Sequence, residues 1–259
     1  MQKEEFEKIL KEENLSLAEN WLIQKLEEDT MNNNTYMVSN FLSELILSTP
    51  ATMGYPFEKL TEIDFLNIEK SKDGKLRIYE WHDSNPCYNI GNYNIIQYKS
   101  NGDVFSIDFT EAYFPDCIGE ECWDEFRSFE VYTMSLSNKT YYLIEAGHFQ
   151  AAAYLGYRDI SIYAIENDKL VKQSVFKTFK DILSEIGFEY DATNYYYDFI
   201  DNNDNFDDYL FSYYDHSKII YVPLGGTKES DLIVTDKYLL YQWNGKCFRY
   251  IGTEKGKRK

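Results

Sequence analysis

The chain of 259 residues has few of the side chains from which catalytic and metal sites are usually built. It contains three histidines, His82, His148 and His216, and lacks the GxSxG, HExxH, GxGxxG, CxxC and P-loop motifs. Enzyme classes that depend on those motifs are therefore excluded. Two histidines with a carboxylate would suffice for a zinc site, but scattered surface histidines are the simpler interpretation.

Cysteine is also scarce, with four residues in the chain, which argues against a disulfide-stabilised scaffold. Cys117 and Cys122 are the closest pair, in the stretch DCIGEEC, and their spacing does not match a zinc ribbon or a redox site. Three interpretations stay open for this pair: a disulfide that closes a small loop, two unpaired thiols, or metal ligands.

Long apolar runs are missing too, since no run approaches the roughly 20 residues that a membrane-spanning helix needs. The chain begins MQKEEFEKIL, which is charged from its third position, so we expect no signal peptide in the chain as given. These two absences predict a soluble protein without a transmembrane segment. An extracytoplasmic location also fits if the chain was trimmed from a longer precursor.

Basic residues are outnumbered by acidic ones, 26 to 44, which gives a formal net charge of −18. A field of this sign repels phosphate backbones, so nucleic acid is not expected as a partner. Cations or a basic protein surface are the partners that such a charge favours. The alternative explanation of the charge is solubility alone.

The chain is predicted to have two parts with different patterns. Residues 1–58 form a helical N-terminal segment, because their apolar residues recur at helical spacing. Residues 59–259 form a mainly-β domain with inserts at about 109–127 and 177–206, because strand-like alternation and turn signals replace the helical pattern.

Three local signals refine the helical prediction. Ser16 and Glu19 match a capping box, which predicts the start of the second helix. Pro50 ends the third helix, since the residue before a proline disfavours the helical conformation. The second insert contains FKDILSEIG, which predicts a further short helix closed by Gly187.

Turn dipeptides divide the rest of the chain at regular intervals. In chain order they are Asp73-Gly74, Asn101-Gly102, Asn138-Lys139, Asn167-Asp168, Asp215-His216 and Asn244-Gly245. They form three pairs with spacings of 28 (73 to 101), 29 (138 to 167) and 29 residues (215 to 244), and each pair would join four strands. The pattern predicts a mainly-β fold with an N-terminal α-helical segment. Its three antiparallel four-stranded units span about 63–108, 130–176 and 209–251, in propeller-like or sandwich-like packing.

The stretch 71–81, SKDGKLRIYEW, resembles the last strand of a WD40 propeller blade. Tyr79 stands where that motif has Trp, and no Gly-His pair opens any unit, so we predict a β-hairpin with the same turn. Alternation puts Leu76 and Ile78 on one face of the strand, and Tyr79 and Trp81 on the other. Apolar residues on both faces predict a sheet that is covered on both sides.

The stretch DFIDNNDNFDDYL offers carboxylate and amide oxygens, the ligands that calcium prefers. Phe206 and Ser212 occupy the positions where an EF-hand needs Gly and Glu, so the standard EF-hand is excluded. A non-standard site would use Asp201, Asn203, Asp204 and Asp207, with calcium as an optional cofactor. A solvated acidic loop is the alternative.

Aromatic side chains and carboxylates indicate two further kinds of site. Tyr79, Trp81, Trp123 and Trp243 are candidate ligand-binding residues, provided that their rings share an exposed face. We therefore predict a non-catalytic binding or interaction protein whose ligand is a basic protein or a glycan. The alternative is a carboxylate-based hydrolase acting on carbohydrate. Such an enzyme needs two carboxyl groups about 5 to 10 Å apart, one of them with a raised pKa.

The calcium prediction is tested by thermal melts after EDTA treatment, with and without added calcium. Calcium at about 100 times its Kd is expected to raise the Tm by about 5 to 11 °C, because a ligand that binds only the folded state stabilises it. Asp201→Asn with Asp204→Asn should abolish the rise. An unchanged Tm in the wild-type chain would leave the stretch as a solvated loop.

Overall fold

The computed structural model describes residues 2–12, 14–28, 33–83, 91–109, 124–137, 139–150, 155–191, 211–228 and 231–255. The chain forms two compact units, Met1–Cys122 and Trp123–Lys259. The predicted fold class is confirmed: the structure is mainly β, with the helices at the N-terminal end and three sheets. The predicted helical segment shares the first unit with the first sheet, and the division near residue 58 stays a prediction.

Four α-helices and a 3₁₀ helix are described in the first unit. They are α1 (Gln2–Lys11), α2 (Leu15–Glu27), α3 (Asn33–Ser48), the 3₁₀ helix (Pro50–Gly54) and α4 (Glu58–Glu62). As predicted, α3 ends before Pro50, with Thr49 in an extended conformation. In the part of the chain that the structure describes, no helix has the length and apolarity needed to cross a bilayer.

The predicted capping box at Ser16 and Glu19 is wrong. Asn14 caps α2 instead, and its side-chain oxygen accepts a hydrogen bond from the Leu17 backbone N–H at 3.1 Å. The Glu19 carboxylate is buried, where it accepts hydrogen bonds from the backbone N–H groups of Lys59 (2.8 Å) and Leu60 (3.2 Å). Glu19 therefore satisfies the free amides at the start of α4 rather than those of its own helix.

The first sheet is an antiparallel meander of four strands, in the order β1-β2-β3-β4. The strands are β1 (Leu66–Lys70), β2 (Leu76–Asp83), β3 (Gly91–Ser100) and β4 (Asp103–Asp108). The predicted turns join them, with positive φ at Gly74 (65°), Asn101 (51°) and Gly102 (96°). Both faces of β2 are buried, as the apolar residues on both faces predicted.

The core of the first unit lies between the helices and one face of this sheet. Phe6, Trp21 and Phe41 form an aromatic cluster with ring centroids 4.5 to 5.3 Å apart. Tyr79 and Trp81 of β2 belong to the same core. The apolar stripes of the helices are thus buried against the sheet, which is the partner that an amphipathic helix needs.

The second unit contains two sheets that follow the other two predicted repeats. The second sheet contains the predicted antiparallel series of four strands. They are β5 (Asp124–Leu136), β6 (Lys139–Gln150), β7 (Leu155–Glu166) and β8 (Lys169–Lys172). The third sheet also contains a predicted antiparallel series of four strands. They are β12 (Ser212–Tyr214), β13 (Ile219–Lys228), β14 (Asp231–Trp243) and β15 (Phe248–Lys255). The three antiparallel four-stranded units are confirmed.

The short helix predicted in the 177–206 insert is wrong. This stretch instead forms β9 (Phe176–Lys177), β10 (Ile182–Leu183) and β11 (Glu185–Asp191). β9 and β10 extend the third sheet, with β9 parallel to β15, and β11 pairs with the edge of β7. Tertiary pairing with an open sheet edge overrides the local helical preference, which is a weak determinant in a stretch this short.

Gly187 has a packing role rather than the predicted capping role. A Cβ atom at this position would lie 2.3 Å from the Tyr157 hydroxyl oxygen and 2.7 Å from the Arg158 carbonyl oxygen. The absence of a side chain lets β11 approach β7 closely.

The two sheets of the second unit share one core, which is the sandwich-like packing, one of the two kinds of packing predicted. The second sheet contributes Met134, Leu136, Leu143, Ile160 and Ile162, and the third contributes Phe176, Ile220, Val222, Tyr241 and Phe248. Facing apolar sides of two sheets bury each other in this way in β-sandwiches.

Two leucines on α3 test the helix–sheet core of the first unit. Leu42 is 0% exposed and Leu47 is 39% exposed. Leu42→Ala is expected to lower the free energy of unfolding by about 2 to 5 kcal/mol, because it leaves a cavity, and Leu47→Ala by less than about 1 kcal/mol. Equilibrium urea denaturation measures both, and equal losses would contradict this placement of α3.

Candidate functional site

An open cleft lies in the first unit beside the C-terminal ends of α1 and α3. Its volume is about 670 Å³, within the range typical of ligand pockets. The lining residues are Glu7, Leu10 and Lys11 of α1, Glu44 and Ser48 of α3, and Thr49, Pro50 and Ala51. We name this feature the α1/α3 cleft.

The end of α3 shapes one wall of the α1/α3 cleft. The Ser48 hydroxyl donates a hydrogen bond to the Glu44 carbonyl oxygen at 2.6 Å, and the Thr49 backbone N–H donates to the Leu45 carbonyl oxygen at 3.0 Å. Pro50 then starts the 3₁₀ helix, so the chain leaves the axis of α3 at this point. The wall is made of backbone and short side chains whose positions are set by these hydrogen bonds.

A buried polar network holds the 3₁₀ helix against the first sheet. The Arg77 side chain is 2% exposed, and its Nη1 donates hydrogen bonds to the carbonyl oxygens of Thr52 (3.0 Å) and Met53 (3.2 Å). The Gln97 Nε2 donates to the Ile46 carbonyl oxygen and to Thr52 Oγ1, both at 2.8 Å. Because the cleft wall is tied to the sheet in this way, the cleft exists before any ligand arrives.

Burial changes the acid–base properties of that network. Desolvation lowers the pKa of the Arg77 guanidinium, which lies 4.7 Å from the centroid of the Tyr79 ring. Desolvation also raises the pKa of the Tyr79 hydroxyl. Tyr79 therefore stays protonated, with its hydroxyl 2.8 Å from the Thr52 carbonyl oxygen and 2.6 Å from Gln97 Oε1.

The charges of the α1/α3 cleft favour a cation. Among the described residues its lining holds two carboxylates, Glu7 and Glu44, against one ammonium group, Lys11. Within the described ranges, neither carboxylate forms an ion pair. Both helices also present their C-terminal ends here, where the helix dipole places partial negative charge. Leu10, Pro50 and Ala51 add an apolar surface beside these charges.

A second group of charged residues lies inside the second unit. Glu145 of β6 and Arg158 of β7 are 0% and 1% exposed, and Arg158 Nη1 is 2.9 Å from Glu145 Oε1. The Phe211 backbone N–H also donates to Glu145 Oε1, at 3.4 Å. Glu145 Oε2 has no hydrogen-bond partner in the described part of the chain.

The pKa of the Glu145 carboxyl is raised to near neutral pH. Burial raises its pKa to about 7, against the opposing effect of Arg158, and the nearby charge of Glu130 raises it further. Glu130 of β5 is the direct cross-strand neighbour of Glu145. The pair meets part of the requirement set out above for a carbohydrate hydrolase: two neighbouring carboxyl groups, one with a raised pKa.

Neither the α1/α3 cleft nor the buried Glu145 group is predicted from the sequence. The sequence does contain a sign of Glu145 and Arg158. Strand alternation places these charged residues on the same faces as Leu143 and Ile160, which are core residues. A charged residue on a buried face is a candidate for a paired or functional group. Glu7 and Glu44 had no comparable signal, since they are two of many acidic residues on helices that are distant in sequence.

The predicted aromatic ligand-binding residues do not form a common exposed face among the described residues. Tyr79 and Trp81 are both 0% exposed, because their side of β2 faces the helices. Trp243 is half-buried, with its ring 5.9 Å from Tyr141 and 5.1 Å from Phe248. Trp123 lies outside the described residues, so its part in ligand binding stays a prediction.

The predicted calcium and disulfide sites also lie outside the described residues. They are Asp201, Asn203, Asp204 and Asp207 for calcium, and Cys117 and Cys122 for the disulfide. Both stay predictions. Within the described ranges no group of three or more histidine, cysteine, aspartate or glutamate side chains is placed to hold a metal ion, and Cys247 is a free thiol.

No family model, curated protein or solved structure matches the chain. The geometry and charge of two features bear on function: the α1/α3 cleft, and Glu145 with its neighbours Arg158 and Glu130.

The raised pKa of Glu145 makes a sign-specific prediction about stability. Between about pH 5 and pH 7 the folded state binds more protons at this site than the unfolded state, so raising the pH lowers the free energy of unfolding. Glu145→Gln removes this contribution. We expect the stability of the wild type relative to Glu145→Gln to fall by on the order of 2 kcal/mol from about pH 5 to pH 8. Urea denaturation across this range measures it, and parallel pH profiles for the two proteins would contradict it.

Proposed function

We propose that this chain is a non-catalytic binding protein whose α1/α3 cleft receives a basic, partly apolar segment of a partner protein. The observation that carries the proposal is the position of Glu7 and Glu44, which form no described ion pair and stand beside the apolar side chains of Leu10, Pro50 and Ala51. The net charge of −18 supports a basic partner, because it attracts such a partner over long range.

The composition of the cleft distinguishes between classes of ligand. A small inorganic cation would use the carboxylates and leave the apolar wall without a function. A glycan would be expected to use aromatic rings, and the described residues that line the cleft include none. A lysine or arginine next to an apolar side chain uses both features, since its aliphatic stem packs on the wall while its charged head meets the carboxylates.

The expected affinity is modest. Solvent-accessible ion pairs contribute about 0.2 to 1 kcal/mol each, and apolar burial adds about 25 cal/mol per Å² before the free energy of ordering the partner is subtracted. The charge of the chain contributes mainly to the association rate. A weak, reversible complex with a Kd of roughly submillimolar to millimolar order is the expected result.

A second candidate function is the hydrolysis of a carbohydrate, and the observation that favours it is the pair Glu145 and Glu130. A carboxyl group that is protonated near neutral pH is suited to act as a general acid. Glu145 is 0% exposed, however, so a substrate reaches it only after a rearrangement. Chromogenic glycosides test this candidate: turnover that disappears in Glu145→Gln would support it, and equal background rates in both proteins would refute it.

A short labelled peptide tests the proposed cleft directly. The peptide Gly-Lys-Phe-Lys-Gly is expected to bind the wild-type protein, and a version with norleucine in place of lysine should bind much more weakly. Glu7→Gln with Glu44→Gln should weaken binding roughly twofold to thirtyfold, because two ion pairs of modest strength are lost. Fluorescence anisotropy at fixed ionic strength measures the Kd values.

The matched control is Glu5→Gln with Glu12→Gln. These residues are exposed and lie outside the cleft lining, and the double change alters the net charge by the same amount. The control should bind the peptide as the wild type does, apart from a small change in the association rate. Equal weakening in the two double variants would mean that overall charge, rather than the cleft, governs binding.

A further inference from the structure

The second unit exposes an apolar side chain, that of Phe179, to solvent. Phe179 is 98% exposed, more than any other large apolar residue in the described part of the chain. Ile182 and Leu183, which follow it closely, are 50% and 42% exposed. Single exposed apolar residues are common, but a fully exposed phenylalanine next to two more apolar residues is typical of an interaction surface.

The backbone that carries Phe179 is held in place by hydrogen bonds. β9 and β10 are adjacent antiparallel strands, and residues 178–181 form the connection, which we name the hairpin tip. The Thr178 backbone N–H donates to the Asp181 carbonyl oxygen at 2.9 Å, and the Asp181 backbone N–H donates to Thr178 Oγ1 at 2.9 Å. The Thr178 hydroxyl also donates a hydrogen bond to the Asp181 carbonyl oxygen, at 3.0 Å.

The base of this hairpin is anchored in the core. Phe176 of β9 is 0% exposed and packs against Phe248, with ring centroids 5.8 Å apart. Backbone pairing with β15 fixes β9 at the same point. The structure therefore presents Phe179 on an ordered support, which lowers the entropy that a binding partner would have to overcome.

Basic residues outnumber acidic ones around Phe179, in contrast to the chain as a whole: Lys177, Lys180 and Arg249 stand against Asp181. Lys180 lies in the hairpin tip, and Lys177 pairs in register with Ile182 on one side and Arg249 on the other. These three cations form no ion pair within the described ranges. A partner for the hairpin tip must therefore combine an apolar recess with carboxylates.

The α1/α3 cleft has that combination. Leu10, Pro50 and Ala51 give an apolar surface that fits a phenyl ring, and Glu7 and Glu44 carry the charges that complement Lys177 and Lys180. The cleft volume of about 670 Å³ accommodates one phenylalanine with an adjoining lysine stem.

We propose that the hairpin tip of one copy of this chain docks into the α1/α3 cleft of a second copy. The proposal rests on the proposed function and names the partner segment that the cleft receives. Two different surfaces meet in each such contact, so the contact is head-to-tail and yields closed rings of two or more copies, or open chains. A hairpin tip is smaller than a standard interface, so the self-association is weak and concentration-dependent.

Sedimentation velocity at increasing protein concentration, at about 150 mM salt, measures this association. Phe179→Ser should weaken it roughly tenfold to a hundredfold, because the apolar anchor is lost. Ile63→Ser is the matched control, since Ile63 is also exposed, at 54%, and lies outside both surfaces. A wild-type chain that stays monomeric up to about 1 mM would overturn the proposal, as would equal self-association of the wild type and Phe179→Ser.

A mixing experiment tests the head-to-tail geometry. One variant, Phe179→Ser with Lys180→Ser, keeps the cleft and loses the tip; the other, Glu7→Lys with Glu44→Lys, keeps the tip and loses the cleft. Each alone should be monomeric, and an equimolar mixture should form a one-to-one complex that grows no further, since each variant has one working surface. Circular dichroism confirms that both variants are folded. No complex in the mixture overturns the proposal.

The Gly-Lys-Phe-Lys-Gly peptide separates the failure of this inference from the failure of the proposed function. If the peptide binds the cleft and the protein does not self-associate, the second copy is not the partner and the proposed binding function stands. If the wild type self-associates and the peptide competes with that contact, both proposals are supported. If the cleft binds neither the peptide nor a second copy, both proposals are overturned.

Discussion

Buried backbone carbonyl groups set the main constraint on the first unit. Ile46 and Thr52 are 0% exposed, so their carbonyl oxygens need hydrogen-bond donors from the protein. The first sheet supplies these donors through Arg77 and Gln97, which stand on β2 and β3 where an apolar residue would otherwise fill the core. The helices, the 3₁₀ helix and the sheet are held in one arrangement because Arg77, Tyr79 and Gln97 of the sheet all donate hydrogen bonds to the carbonyl oxygens of Ile46 and Thr52.

The α1/α3 cleft is a consequence of that arrangement. The chain must leave the axis of α3 at Thr49 and Pro50 to bring Thr52 over the sheet, and this bend leaves the end of α3 open beside α1. In the second unit the buried Arg158 is paired with a carboxyl group, that of Glu145. Burial lowers the pKa of the Arg77 guanidinium and raises the pKa of the Glu145 carboxyl to about 7. The Glu145 carboxyl is therefore a buried group that changes charge near neutral pH.

The α1/α3 cleft and the hairpin tip are complementary in chemistry. The cleft joins carboxylates to a small apolar wall, and the tip joins lysines to an exposed phenylalanine. Each is supported by ordered backbone, the cleft through the Arg77 network and the tip through the Thr178 and Asp181 hydrogen bonds. Preorganised surfaces of this kind lose little conformational entropy on binding, which lets a small contact area give a measurable affinity.

The sequence alone determined the class of fold, the three four-stranded units and their turns, because alternation and turn chemistry act between neighbouring residues. It also determined that both faces of β2 are buried. Tertiary structure alone decided that residues 185–191 form a strand, since the open edge of β7 is distant in sequence. It also decided that Tyr79 and Trp81 lie in the core, and that Glu7 and Glu44 line one cleft. Such outcomes depend on which surfaces meet in space, and local sequence patterns carry no record of contacts between distant segments.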